Sequence, residues 1–263
     1  MLLLGDGKVT FFHIPKCAGS TLRDQLENYD SLDGQFSRRK EHPELGRYEA
    51  AHVPLFRLRK YWPEVFEKVA TTSKYAVVRD PVARFCSAIS QNIRENHDVS
   101  PGHAPKELIE GVIATAREDI AKNPEFPAFG LSHFCHQTDF IDLDGERFVD
   151  SVYPLEELPT MIRDIGDAIG VKLMDDIAAN KTVTFKNEGL AGPLTKLKDI
   201  SKNVLPFPVY TRAREAAMKV FTKPGSENVQ DTVRGSAELM AFIREHYAGD
   251  FAVYEESRAK HAA

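Results

Sequence analysis

The sequence predicts an α/β fold in which helices cover both faces of a central, mainly parallel sheet. Short apolar runs rich in β-branched and aromatic residues alternate with longer stretches of helical periodicity, and this alternation is typical of parallel sheets. Several predicted strands end at a proline or just before a residue that favours a helix start. Because the chain has 263 residues with no internal repeat and no linker, we expect one three-layer domain over residues 1–263.

The elements of the first third follow from their apolar patterns and turn signals. Lys8–Ile14 is a short β-rich run that Pro15 ends, which predicts a buried strand. The later elements, in order, are a short helix over Leu22–Leu26, a polar excursion over residues 28–48, a second strand over Tyr48–Val53 and a helix over Leu55–Tyr61.

The middle of the chain contains the clearest junction between a strand and a helix. Lys74–Val78 predicts a strand, and Asp80 and Pro81 predict a helix start, since Asp is a favoured N-cap and Pro favours the first helical position. The remaining predicted elements are a loop over residues 97–105, a helix over Lys106–Ala121, a strand over Phe148–Tyr153, a helix over Glu156–Ile169 and a helix over Ala237–Tyr247.

Composition and charge exclude several classes of function. The formal net charge is −5 and the pI is near 6.0, so the basic excess of a general nucleic-acid binder is absent. The cysteines Cys17, Cys86 and Cys135 are odd in number and far apart, which favours a reducing compartment. The apolar run Met1–Leu4 is too short for a secretory or membrane segment, so we expect a soluble, cytoplasmic protein with no membrane partner.

The loop after the first predicted strand has the composition of an anion-binding turn. Gly19 permits close approach of the backbone, and the free amides at a helix start face an anion. Ser20 and Thr21 add hydroxyl donors, and Lys16 adds a point charge. The logic is that of a nucleotide-binding P-loop, although the lysine precedes the glycine here. The alternative is an ordinary turn with a solvated Lys16 and Ser20 as a plain N-cap.

The segment Arg79–Ser87 follows the strand in the middle of the chain. Its apolar stripe should face the core, and Ser87 lies away from that stripe at about 100° per residue. We therefore expect Ser87 to lie beside Arg79 and to bind a phosphate with it. The alternative is a solvated Ser87 and an Arg79 paired with a carboxylate. The stripe consists of Val82, Phe85, Cys86 and Ile89.

His52 ends the second predicted strand. In open parallel sheets, ligands bind beyond the carboxyl ends of the strands. The sequence therefore predicts that the Lys16 loop, His52 and Arg79 share one site, with His52 as a base between two anion sites. The alternative is that His52 is structural, as a lone histidine at a strand end usually is.

Together these residues resemble the superfamily of sulfotransferases that use 3′-phosphoadenosine 5′-phosphosulfate (PAPS), in particular the heparan sulfate 2-O-sulfotransferase branch. His13–Leu22 resembles the 5′-phosphosulfate loop of that branch, with Cys17 where threonine is more usual. Val78–Ser87 resembles its 3′-phosphate motif, with the arginine and the serine at the same spacing. Ala51–Val53 matches a His-Gly-His-Val stretch whose second histidine is His52, while the first falls on Ala50.

The resemblance implies a P-loop-like fold and transfer of sulfonate from PAPS to a hydroxyl of an acceptor, a saccharide in that branch, with release of 3′-phosphoadenosine 5′-phosphate (PAP). It implies that Lys16 stabilises the leaving oxygen, that His52 is the general base, and that no metal is needed. Arg79 and Ser87 bind the 3′-phosphate in such a site. The donor-binding loop consists of Lys16, Cys17, Ala18, Gly19, Ser20 and Thr21.

Two other functions compete with this interpretation. Cys17 and Arg23 also satisfy the Cys-x5-Arg pattern of cysteine-dependent phosphatases, in which a thiolate attacks phosphorus. A non-catalytic nucleotide-binding protein with the same fold is the second alternative. The ligand-like cluster His133, Cys135, His136 and Asp139 has no second half at zinc spacing and is interpreted as structural. Residues 94–140 are a candidate lid, and oligomeric state has no signal in the sequence.

Overall fold

A computed structural model describes residues 1–97, 99–175, 183–185, 207–224 and 227–262, and shows a mixed α/β protein. The side chains of Ser20 and Thr21 lie outside the described part. In chain order the strands are β1 (Leu2–Leu4), β2 (Val9–Phe12), β3 (Arg39–His42), β4 (Gly46–Glu49), β5 (Ser73–Val78), β6 (Asp142–Leu143), β7 (Glu146–Arg147), β8 (Ser151–Pro154), β9 (Val183–Phe185) and β10 (Thr222–Pro224).

Helices surround the sheet and make up most of the rest of the described chain. In chain order they are α1 (Gly19–Leu26), α2 (Leu55–Tyr61), α3 (Pro63–Ala70), α4 (Pro81–Asn96), α5 (Lys106–Lys122), α6 (Leu158–Ile169), α7 (Phe207–Phe221), α8 (Glu227–Arg234), α9 (Ala237–His246) and α10 (Ala248–His261). Short 3-10 turns connect them, at Glu27–Tyr29, Ala50–His52, Pro101–His103, Ser132–Phe134, Thr138–Phe140 and Leu155–Glu157.

The central sheet has the order β1-β2-β5-β8. The β2–β5 and β5–β8 pairs are parallel, with Phe12 opposite Ala76 and Val78 opposite Pro154, whereas β1 is antiparallel to β2. The prediction of a mainly parallel sheet with helices around it is therefore confirmed. Since parallel strands end at the same edge, the loops that follow β2 and β5 meet there.

Two hydrophobic clusters hold these elements together. One cluster contains the sheet strands, and the other packs α4 against α5, α8 and α9. The predicted apolar stripe of α4 lies in the second cluster, with Phe85 and Ile89 fully buried. The start of α4 is also as predicted, because Asp80 Oδ1 accepts a hydrogen bond from the Ala83 amide at 2.7 Å. A buried stripe and an N-cap fix where α4 begins and which face it turns outward.

The predicted second strand over Tyr48–Val53 is wrong. Residues Gly46–Glu49 pair with β3 in a small separate hairpin, and Ala50–His52 forms a 3-10 turn. Ala50 and Ala51 are buried, so the apolar signal reflected burial in a turn and not a place in the sheet. His52 is consequently not at a strand end.

Other predicted elements are confirmed with small shifts of their ends. The helix over Leu55–Tyr61 has the predicted bounds, and the predicted strand over Phe148–Tyr153 is displaced to Ser151–Pro154. Strand β1 was not predicted, because an antiparallel edge strand of three residues has little local signal. In the part of the chain that the structure describes, no helix has both the length and the apolar character to cross a membrane.

Candidate active site

The loop between β2 and α1 leaves helix amides free to meet an anion. Lys16 and Ala18 have left-handed backbone conformations, with φ of 66° and 61°, which non-glycine residues adopt at a cost of about 1 kcal/mol each. Ala18 is the N-cap of α1, and no side chain caps the helix there. The first amides of a helix have no partner within it, so this end of α1 can bind a negatively charged group.

Gly19 is required where it stands because the His13 ring covers it. A Cβ at Gly19 would lie 1.7 Å from Cδ2 and Nε2 of His13. His13 is itself buried, and burial together with the neighbouring His52 lowers its pKa well below the usual value. The glycine of this loop therefore permits close packing of a neutral histidine against the first turn of α1.

We expect Gly19→Ala to destabilise the protein by at least ~1–3 kcal/mol, the usual cost of overpacking, because the new methyl group overlaps the His13 ring. Urea unfolding measures the change. Gly111→Ala is the matched control, since nothing lies within 4 Å of its Cβ position in α5, and there alanine should stabilise by up to about 1 kcal/mol. A Gly19→Ala protein as stable as the parent contradicts the packing described.

Gln137 joins the β2–α1 loop to the end of β5. Its Oε1 accepts from the Cys17 Sγ at 3.2 Å and from the Arg79 amide at 2.9 Å. Its Nε2 donates to the Arg79 carbonyl at 2.9 Å. One buried amide side chain thus fixes the relative positions of the two predicted anion-binding segments.

A buried ion pair holds Gln137 in position. Asp250 Oδ1 accepts from the backbone N–H of Gln137 at 2.8 Å, and its Oδ2 lies 3.4 Å from Arg84 Nη2. Both charged side chains are almost fully buried, at 1% and 0% exposure, so removal of either would leave an uncompensated buried charge. Arg84 also lies over the Tyr247 ring at 5.1 Å.

Three cations, Lys16, Arg79 and Arg94, lie near one another at the loop that precedes α1. Arg79 Nη1 donates to the Lys16 carbonyl at 3.2 Å. Gln91 Oε1 accepts from Lys16 Nζ at 3.2 Å and from Arg94 Nη1 at 2.9 Å. Burial and the positive charges of Arg94 and Arg79 lower the pKa of Lys16 to about 8. Glu95 offsets this only in part, so the cluster favours binding of an anion that removes the repulsion.

His52 contacts the β2–α1 loop through His13, although it is not at a strand end, and the two ring centres lie 4.4 Å apart. Its Nδ1 is 2.9 Å from the His13 carbonyl, and because a carbonyl oxygen only accepts, Nδ1 carries the hydrogen. The lone pair is therefore on Nε2. Burial and the nearby His133 lower the pKa of His52 well below its usual value, so the ring is neutral at neutral pH.

A cavity of about 200 Å³ adjoins His52. Two of its arginines lie against aromatic rings, with Arg57 4.3 Å from the Phe126 ring centre and Arg47 5.1 Å from that of Phe129. The cavity is therefore both cationic and aromatic, which suits a polar acceptor. It is lined by Leu45, Arg47, Tyr48, Glu49, His52, Val53, Pro54, Arg57, Asn123, Phe126, Pro127, Ala128, Phe129 and Ser132.

Ser87 is buried, at 8% exposure, so the alternative of a solvated serine is wrong. Within the described residues, no hydrogen bond joins Ser87 to Arg79, and no carboxylate forms an ion pair with Arg79. Ser87, Gln91 and Arg94 follow at i, i+4 and i+7 and share one face of α4. Since Gln91 on that face contacts Lys16, Ser87 is on the side of α4 that faces the loop.

The arrangement needed by a cysteine-dependent phosphatase is absent from the described loop. Burial raises the pKa of the Cys17 thiol to about 12, and the thiol donates to Gln137. Arg23 Nη2 donates to the Phe36 carbonyl at 3.1 Å and is thus engaged away from the thiol. A thiolate nucleophile with an arginine closing the loop does not fit this geometry.

The side chains predicted to form a ligand-like cluster contact different neighbours. The four residues are His133, Cys135, His136 and Asp139. His133 lies beside His52, with 5.8 Å between ring centres, whereas His136 lies 4.4 Å from the His246 ring. Cys135 is fully buried, and burial raises the pKa of Asp139 to about 7. Across the described residues, no group of three His, Cys, Asp or Glu side chains is placed to hold a metal ion.

Sequence reasoning missed several residues of the site. Arg94 and Gln91 had a usable signal, because they continue the face of α4 on which Ser87 lies. Gln137 and the Arg84–Asp250 pair had none, since the contacts span 58 to 166 positions along the chain. Comparisons with family models, with curated proteins and with solved structures found no match for this chain.

Proposed function

We propose that this protein is a sulfotransferase that uses PAPS as donor and a hydroxyl group, of a saccharide, as acceptor. The observation that carries the proposal is the cluster of Lys16, Arg79 and Arg94 at the loop that leads into the uncapped helix α1. A donor with phosphates at its 3′ and 5′ positions suits such a cationic site. We further propose a P-loop-like arrangement of three layers and a cytoplasmic location, which the three free cysteines support.

The donor supplies a sulfonate whose bond to the 5′-phosphate oxygen breaks during transfer. In the proposed site the amides of Ala18 and Gly19 at the start of α1 face the 5′-phosphate. Lys16 stabilises the negative charge that develops on the leaving oxygen, while Arg79 binds the 3′-phosphate with Ser87. Cys17 holds the loop through Gln137 and takes no chemical part.

His52 is the proposed general base. The acceptor oxygen attacks sulfur while its proton passes to His52 Nε2; the bond between sulfur and the phosphate oxygen breaks, and PAP leaves with the electron pair. The neutral ring and the fixed Nδ1–H leave Nε2 able to take that proton. The cavity beside His52 would hold the acceptor.

The proposal is tested by incubating the protein with PAPS and a panel of saccharides and phenols, and measuring both PAP and sulfated product. We expect PAP release that depends on the acceptor and matches the product in amount. Hydrolysis of aryl phosphates in place of transfer would favour the phosphatase alternative, and tight PAP binding with no transfer to any acceptor would favour the non-catalytic one.

We expect Arg79→Ala to weaken binding of PAP much more than binding of adenosine 5′-monophosphate, which lacks the 3′-phosphate. Loss of a charged hydrogen bond of ~1.5–3 kcal/mol corresponds to a decrease of about 10- to 150-fold in PAP affinity. Calorimetric titration measures both ligands.

Arg59→Ala is the matched control, because the Arg59 guanidinium is exposed and pairs with Asp144, whereas Arg79 donates to the loop at Lys16. It should leave both affinities unchanged. Equal losses for PAP and adenosine 5′-monophosphate in Arg79→Ala would remove Arg79 from the 3′-phosphate site.

A further inference from the structure

We propose that His133 is a further catalytic residue, whose ring N–H donates to an oxygen of the sulfonate during transfer. This inference rests on the function proposed above. His133 belongs to the 3-10 turn Ser132–Phe134, in a segment that the sequence offered only as a lid or a ligand-like cluster. Neither of those interpretations places it at the reaction centre.

His133 neighbours the proposed base and contacts the same helix as Lys16. Its ring centre is 5.8 Å from that of His52, with the planes at 73°. The turn of His133 and the side chain of Lys16 both contact α4, at Arg84 and at Gln91, and Lys16 is the charged residue that affects His133 most. In the proposed mechanism Lys16 faces the leaving oxygen and His52 faces the acceptor. A group that neighbours both residues is placed to contact the sulfonate.

The backbone around His133 is held firmly by the core. Arg84 Nη1 donates to the His133 carbonyl at 3.1 Å, and the Tyr247 hydroxyl donates to the Phe134 carbonyl at 2.6 Å. The Phe134 ring packs edge-on against Phe85 of α4 at 5.4 Å. These contacts fix the backbone of the turn that carries the His133 side chain, and a catalytic donor requires such a fixed position.

The electrostatic surroundings keep His133 neutral. Burial and the positive charge of Lys16 lower its pKa to about 4, and Glu95, Arg39 and Arg84 are the other charged groups that act on it. A neutral imidazole has one N–H donor and one acceptor nitrogen. In the proposed site the ring is beside Lys16 and near the sulfonate, so its N–H is the useful group. A neutral ring can donate this hydrogen bond without first binding an extra proton.

The test compares His133→Phe, which keeps the ring shape without the N–H, with His133→Asn, which restores a donor. We expect His133→Phe to lower turnover ~10²–10³-fold, as for loss of one oxyanion donor. His133→Asn should recover part of that loss. His133→Phe should also weaken PAPS more than PAP, since PAP lacks the sulfonate, and the pH profile should keep its shape.

His136→Phe is the control for altered packing, because His136 lies on the same segment but its ring contacts His246, with 4.4 Å between ring centres. It should change neither turnover nor the ratio of PAPS to PAP affinity. If His133→Phe leaves that ratio and turnover unchanged, the inference is wrong. It is also wrong if both His133→Phe and His133→Asn lose turnover to the same extent and are less stable than the parent, because His133 is then structural. Failure of the unaltered protein to bind PAPS is a different result, which overturns the proposed function itself and His133 with it.

Discussion

Replacing His52 by alanine is expected to lower turnover by ~10²–10⁴-fold, the range for loss of a general base, while PAP still binds. The expectation follows from the geometry of the ring. Nδ1 is bound to the His13 carbonyl, so Nε2 is the nitrogen left to accept a proton, and that nitrogen belongs to a ring on the wall of the proposed acceptor cavity. Steady-state kinetics with saturating PAPS gives turnover, and calorimetry gives PAP affinity.

His52→Asn is the sharper variant for the same question. An asparagine amide can replace Nδ1 as the donor to the His13 carbonyl, but it cannot take a proton at neutral pH. We expect its stability to match that of the parent and its turnover to be as low as that of His52→Ala. Near-normal turnover in either variant would remove His52 from the mechanism.

Replacing Lys16 by methionine is expected to lower turnover by ~10²–10³-fold, because the charge on the leaving oxygen loses its nearest stabilising group. Methionine keeps an unbranched side chain of nearly the same length without the charge. It loses the hydrogen bond of Lys16 Nζ to Gln91, but the contact of the Lys16 carbonyl with Arg79 remains, so the loop conformation should survive. Circular dichroism and calorimetry with PAP check fold and binding beside the kinetic loss.

The pH profile of kcat/KM distinguishes the role of Lys16 from that of His52. The active form needs Lys16 protonated, and its pKa is lowered to about 8, so kcat/KM should fall as pH rises through about 8. The active form needs His52 neutral, and its pKa is lowered, so the acid limb should lie below the usual histidine range. Lys16→Arg should retain activity at high pH. A profile of Lys16→Arg that still falls near pH 8 would contradict the assignment.

Local patterns in the sequence were sufficient for the elements that pack through their own periodicity. The strand over Lys74–Val78, the cap at Asp80 and the apolar stripe of α4 have physical causes within a few residues. The prediction of a strand over Tyr48–Val53 was wrong for a related reason. Burial of Ala50 and Ala51 in a turn gives the same apolar signal as burial in a strand, and only the contacts with the rest of the protein distinguish them.

Only part of the candidate site could be predicted from the sequence. The loop at Lys16 and the start of α4 at Arg79 could be expected to meet, because both follow parallel strands. Gln137, which joins them, and His133, which lies beside His52, come from irregular segments much later in the chain. Their roles arise from tertiary contacts, for which neither propensity nor spacing provides a signal.

Titration of the purified protein with PAP, with adenosine 5′-monophosphate as the control, tests the central claim most directly. The cation cluster at the start of α1 predicts binding of PAP with a dissociation constant on the order of micromolar, and much weaker binding of the control. That result would establish a 3′-phosphate-dependent donor site. No binding of PAP to a folded sample would contradict the sulfotransferase proposal and the roles assigned to Lys16, Arg79 and His133 together.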